Sequence, residues 1–145
     1  MTLRPAQRLV IDASVAVKWV VSEVDSRRAE ILLDHDLVAP DLIYAECANV
    51  LWKKVRRREM SQEEAEIAAQ TLEQADLTIV PARGHLAVAV SIAIELDQPA
   101  YDAVYLAVAE ASDLCLVTAD DKLARKIRES QNRFRRMLVP LSEIV

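Results

Sequence analysis

RLVID (Arg8 to Asp12), LVAP (Leu37 to Pro40) and LCLVTAD (Leu114 to Asp120) are short apolar, strand-like runs, the first and last ending on an aspartate. Working outward, β-rich runs fall at Leu9 to Ile11, Leu37 to Ala39, Leu77 to Val80, Leu114 to Val117 and Met137 to Val139. Between them, apolar residues recur at helical spacing over Ala13 to Val21, Arg27 to Asp34, Asp41 to Arg58, Ser61 to Ala75, His85 to Leu96, Asp102 to Ala111 and Asp121 to Glu129. Five strands alternating with seven helices make an α/β fold. Pro40 stops a strand and Asp41 is placed to cap the next helix, while Ser61 with Glu64 three residues on forms a capping box. Pro81, Gly84 and Pro99 mark loops. The acidic amphipathic segment Met60 to Ala75 follows a basic helix, and the two are expected to pack as a hairpin beside the sheet.

At 145 residues, 52% of them hydrophobic, the chain is expected to form one domain spanning residues 1–145. No apolar run approaches the ~20 residues of a membrane helix, and the first residues lack a signal-peptide core, so the expectation is a soluble cytoplasmic protein. Cys47 and Cys115 sit far apart in apolar segments and read as buried free thiols. His35 and His85 lack zinc-site spacing and read as surface or packing residues. Gly84 is the only glycine, which excludes the glycine-rich phosphate loops of nucleotide-binding α/β folds. Any phosphate chemistry must therefore use metal ions, basic side chains or helix N-termini.

The carboxylates supply such a site. Asp12 and Asp120 end apolar runs, Glu46 lies in the helix after LVAP, and Asp102 opens a helix. In an open α/β sheet such positions converge in a crevice at the carboxyl ends of the strands. Asp12, Asp102 and Asp120 each have a simpler reading as helix caps. Glu46 does not, being about a turn into its helix among apolar neighbours, where a buried carboxylate needs a cation, a donor or a raised pKa. Asn49, three residues on, is placed to orient it. Four converging carboxylates repel one another unless a divalent cation neutralises them, and magnesium or manganese suits oxygen ligands. Ser14 and Thr118 add hydroxyls that either position a carboxylate or metal-bound water, or serve only as capping and strand residues.

The net charge of −5 argues against a generic nucleic-acid binder, but the basic residues are clustered. Lys53, Lys54, Arg56, Arg57 and Arg58 form one group; Lys122, Arg125, Lys126, Arg128, Arg133, Arg135 and Arg136 form another. Beside an acidic metal site, two such groups point to a polyanion and to phosphodiester hydrolysis. A binding module without chemistry, whose acids are caps, is the second reading. A phosphotransfer enzyme with an aspartyl nucleophile at Asp12 is a third, disfavoured because neither a second acid at Ser14 nor an acidic pair near the end of the first strand is present. Trp19 and Trp52, with Leu51 and Val55, read as core packing or, alternatively, as an apolar groove for a partner.

VIDASVAVKW, APDLIYAECANVLWK, YDAVYLAVAEA and LVTADDKL, in this order and spacing, resemble PIN-domain ribonucleases of the VapC toxin type found in toxin-antitoxin modules. The resemblance covers nearly the whole chain. It implies a three-layer α/β/α domain with a central five-stranded parallel sheet, a homodimer, magnesium- or manganese-dependent cleavage of structured RNA such as tRNA or rRNA, and inhibition by a VapB-type antitoxin. Carried over by position, Asp12, Glu46 and Asp102 are the central metal ligands and Asp120 completes the quartet, with Asp121 able to share its role. Lys53, Lys54, Arg56, Arg57, Arg58, Lys122 and Arg125 are the expected RNA-binding residues. Met1 to Gln7 precedes the first strand and is expected to be disordered.

Overall fold

The computed structural model describes all 145 residues. Five strands, β1 (Arg8–Ile11), β2 (Asp36–Pro40), β3 (Thr78–Val80), β4 (Leu116–Thr118) and β5 (Leu138–Pro140), form one sheet in the order β3-β2-β1-β4-β5. Every pairing is parallel, with Val10 of β1 level with Val38 on one side and Leu116 on the other. The central strands are apolar on both faces because both are covered: Leu9, Val10 and Ile11 are buried, as are Leu116, Val117 and Thr118. The helices are α1 (Ala13–Ala16), α2 (Ser26–Ile31), α3 (Leu42–Arg56), α4 (Gln62–Glu73), α5 (Leu86–Leu96), α6 (Ala100–Ser112) and α7 (Asp121–Glu129). The result is the expected three-layer α/β/α arrangement. Helix α6 packs on β1, β2 and β4 and is buried continuously from Ala103 to Ala109, hence its lack of a polar stripe. The buried apolar side chains form a single cluster of 36 residues.

Local expectations meet the structure unevenly. Ser61 and Glu64 close the capping box, Ser61 Oγ accepting from Glu64 N and Glu64 Oε1 from Ser61 N, and α4 packs against α3 as a hairpin. Asp41 stands at the start of α3 but caps nothing; its carboxylate accepts from Ala82 N at 3.0 Å, tying α3 to the segment after β3. The segment Ala13 to Val21 is helical only to Ala16, then tightens into a 3₁₀ turn over Val17–Trp19. From that turn, Lys18 donates to Val24 O and Trp19 Nε1 to Ala29 O.

The first seven residues are ordered against the body rather than disordered. Leu3 packs on the core, Gln7 N donates to His35 Nδ1, and the terminal ammonium meets Glu143 O. Cys47 is buried and Cys115 only half-buried, both as free thiols. Trp19 is half-buried against the core, whereas Trp52, read as core packing or as part of an apolar groove, is not core: it is 54% exposed with the Arg56 guanidinium over its ring. No helix is long and apolar enough to cross a membrane.

Candidate active site

Strand order reverses beside β1: the chain leaves β1 toward β2 on one side, and β4 lies on the other. Such a switch point opens a crevice outside the carboxyl ends of the strands. Asp12 follows β1 directly and Asp120 lies two residues beyond β4. Helix α3, entered from β2, carries Glu46, and α6, which leads into β4, carries Asp102. All four carboxylates line one cleft of about 540 Å³, with Ser14, Asn49, Lys53 and Tyr105 among its other walls.

Asp12 is the buried member, 6% exposed, and its carboxylate is held from three directions. Ser14 Oγ donates to Oδ1 at 2.5 Å, Thr118 Oγ1 to Oδ2 at 2.5 Å, and Val15 N to Oδ1 at 3.4 Å. Each hydroxyl also accepts a backbone amide from the β4 turn, Ser14 from Ala119 N and Thr118 from Asp120 N. A hydroxyl has one proton to give, and both are given to Asp12. These side chains therefore lock the ends of β1 and β4 together around one carboxylate, so of the two roles open to them they position Asp12. Burial nevertheless pushes Asp12 from 3.8 up to about 6, against the hydroxyl donors and with the help of the Asp102 charge.

The other three acids differ in their surroundings. Glu46 is half-buried, and burial raises its pKa, tempered by the nearby Tyr105 hydroxyl and reinforced by Asp102. Glu46 Oε1 and Tyr105 Oη are both buried without a full hydrogen bond. Asn49 lines the cleft but makes no bond to Glu46, contrary to its expected orienting role. Asp102 does not open its helix: α6 begins at Ala100 with Pro99 as N-cap, which puts Asp102 at the third helical position. Its pKa is raised by burial and by Asp120, while Gln98 and Lys126 oppose the shift. Asp120 does cap α7, accepting from Leu123 N at 3.0 Å, and Asp12 likewise caps α1. Capping and lining the cleft are thus compatible for both. Asp121 faces a different cavity, beside Arg125 and Glu143.

No three acidic side chains converge tightly enough here to chelate an ion by themselves. A wider ring still suits magnesium, which keeps several waters and binds one or two carboxylates directly. Two observations fit the residues to such an ion: Glu46 Oε1 is buried with nothing to bond, and the Asp102 charge raises the pKa of both Asp12 and Glu46 while Asp120 raises that of Asp102. A hard cation relieves both costs, and every donor offered is oxygen.

Of the basic residues, only Lys53 lines the cleft. Lys54 is paired with Glu23 and Glu59, Arg128 with Glu143, and Arg133 with Glu95 and Glu110, so much of each basic group is spent within the fold. Arg57, Arg58, Lys122 and Arg125 are exposed and form no ion pair. Sequence reasoning missed Tyr105, although its place three residues after Asp102 puts both on one helix face. It also missed Gln98, for which no local pattern exists.

A family model described as PIN domain matches residues 9–129. Ribonuclease VapC3 of Pyrobaculum aerophilum is 33% identical over 123 residues, covering 82% of this chain and 94% of its own. The crystal structure of PAE2754 from the same organism superposes with a TM-score of 0.67 at 24% identity, over 94% of this chain and 85% of that one. The crystal structure of VapBC2 from Rickettsia felis, bound to a DNA fragment from their promoter, matches with a TM-score of 0.60 at 14% identity, over 92% and 98% of the two chains.

Proposed function

Because the chain belongs to the PIN-domain family of VapC ribonucleases, we propose that it is the toxin of a toxin-antitoxin pair, a magnesium- or manganese-dependent endoribonuclease that cuts structured RNA and is neutralised by a VapB-type antitoxin. The observation that carries this reading is the convergence of Asp12, Glu46, Asp102 and Asp120, from four separate elements, on the cleft at the topological switch point. When bound there, the ion acidifies a water and offsets charge on the phosphoryl oxygens.

The chain's own residues do the rest. Asp12, fixed by Ser14 and Thr118, offers a carboxylate whose orientation does not depend on the ligand. Glu46 and Asp102, which line the cleft from the two helix walls, would hold the ion, and Asp120 would complete the ring. Lys53 reaches the substrate phosphate nearest the cleft, while Lys54, Arg56, Arg57, Arg58, Lys122 and Arg125 contribute longer-range attraction for the RNA backbone. The ion pairs of Lys54 reduce its share.

The test is cleavage of purified tRNA and rRNA by the nuclease-free chain with magnesium or manganese, read by mapping new 5′ ends. Asp12→Asn is expected to lower cleavage at least ~100-fold, the scale on which such electrostatic machinery works. Undiminished cleavage by that variant overturns the reading.

A further inference from the structure

Asp102 stands at the third position of α6, where an acid ordinarily reaches back to the N-cap amide and closes a capping box. Here the N-cap is Pro99, which has no N–H to give. The missing donor is replaced from one residue earlier: Gln98 Nε2 donates to Asp102 Oδ2 at 2.8 Å. The far end of the same amide is also held, because Lys126 Nζ on α7 donates to Gln98 Oε1 at 2.9 Å and additionally to Asp97 O. The amide can sit only one way round, since an ammonium only donates and a carboxylate only accepts. Asp97 ends α5 in the left-handed region, φ 49°, and Lys126 binds its carbonyl, so one cation fixes both the loop backbone and the side chain within it.

We propose that Gln98 is a positioning residue for Asp102, kept in register by Lys126, so that α7 sets the geometry of a carboxylate on α6. Resting on the reading of Asp102 as a metal-holding residue, this takes Lys126 out of the group that meets RNA and gives it a structural task. Gln98 binds one carboxylate oxygen and leaves the other without a protein partner in the cleft, which is how an outer partner orients a ligand without consuming it.

The experiment is calorimetric titration of the full chain with manganese, in parallel with thermal melting without metal. Gln98→Leu removes the donor at similar size, and Gln98→Glu replaces it with an acceptor facing a carboxylate. Both are expected to weaken manganese binding by about 10- to 100-fold, the range for lost outer partners of metal ligands, while the metal-free melting temperature changes little. Lys126→Met is expected to weaken binding less, and Lys126→Arg to restore it. Wild-type manganese affinity in both Gln98 variants, with affinity lost in Asp102→Asn, overturns the positioning role alone. Wild-type affinity in Asp102→Asn instead overturns the underlying assignment of Asp102, and the role of Gln98 with it.

Discussion

Thr118 is fully buried, and its one hydroxyl proton goes to Asp12 while its lone pairs take the Asp120 amide. Thr118→Val keeps the shape and removes both bonds, leaving a buried acceptor and a buried donor short of partners. The expected cost is about 1–3 kcal/mol in urea unfolding. Since the Thr118 donor holds the Asp12 pKa down, its loss moves that pKa further above about 6. The acid limb of the cleavage profile should shift toward higher pH, and an unmoved limb would contradict the role given to Thr118. At this scale the sequence carries the identity of the four acids, because strand ends and helix spacing are local signals. The partners of those acids are another matter: Thr118 lies 106 residues from Asp12, and Lys126 lies 28 from Gln98. No spacing rule joins them before the fold does.

The contrast between Ser61 and Asp41 shows where local chemistry suffices for an element. Both are cap-type residues ahead of a helix, but only Ser61 finds its partners within three residues. Asp41 is drawn instead to Ala82 N, 41 residues away, because the end of β2 lies beside the segment after β3. Ser61→Ala should therefore cost about 1 kcal/mol of stability with cleavage unaffected, measured by denaturant midpoint beside an activity assay. The same limit governs the basic helices. Their charged faces are legible as faces, yet whether a cation meets RNA or a neighbouring carboxylate depends on packing, which commits Lys54, Arg128 and Arg133 to acids of the same chain.

Across the whole molecule, α/β alternation is readable from the sequence and the parallel sheet from the family resemblance, but the order β3-β2-β1-β4-β5 appears only in the fold. That order creates the switch point and hence the site. It also leaves α5 with exposed apolar side chains, Leu86, Val88, Val90 and Ile94, the last at 77%, beside a single charged pair of Glu95 with Arg133. This face suits the homodimer that the family resemblance implies, since exposed apolar surface of this kind marks an interaction site. Ile94→Glu should convert a dimeric chain to monomer in analytical ultracentrifugation, and an unchanged sedimentation coefficient would locate the interface elsewhere. The charge of the cleft acts on the entire fold as well. An Asp12 pKa of 3.8 when unfolded and about 6 when folded means that between these values the folded chain keeps a proton the unfolded chain has released. Stability is full below the lower value and falls as pH rises through the upper one, by about 3 kcal/mol for this group. Glu46 and Asp102 shift in the same direction. Glu23 is lowered because its Lys18 and Lys54 partners outweigh its burial, so its contribution has the opposite sign and is lost as pH falls. Most of the Asp12 loss falls below pH 5.5 and about 1 kcal/mol remains between pH 5.5 and 7.5, so the metal-free chain should melt a few degrees higher at pH 5.5 than at pH 7.5. Magnesium or manganese should close most of that gap at pH 7.5 and do less at pH 5.5, where Asp12 largely holds its proton. Differential scanning fluorimetry with and without chelator decides it, and a metal-free chain more stable at pH 7.5 would mean that the cleft carboxylates are not under mutual strain.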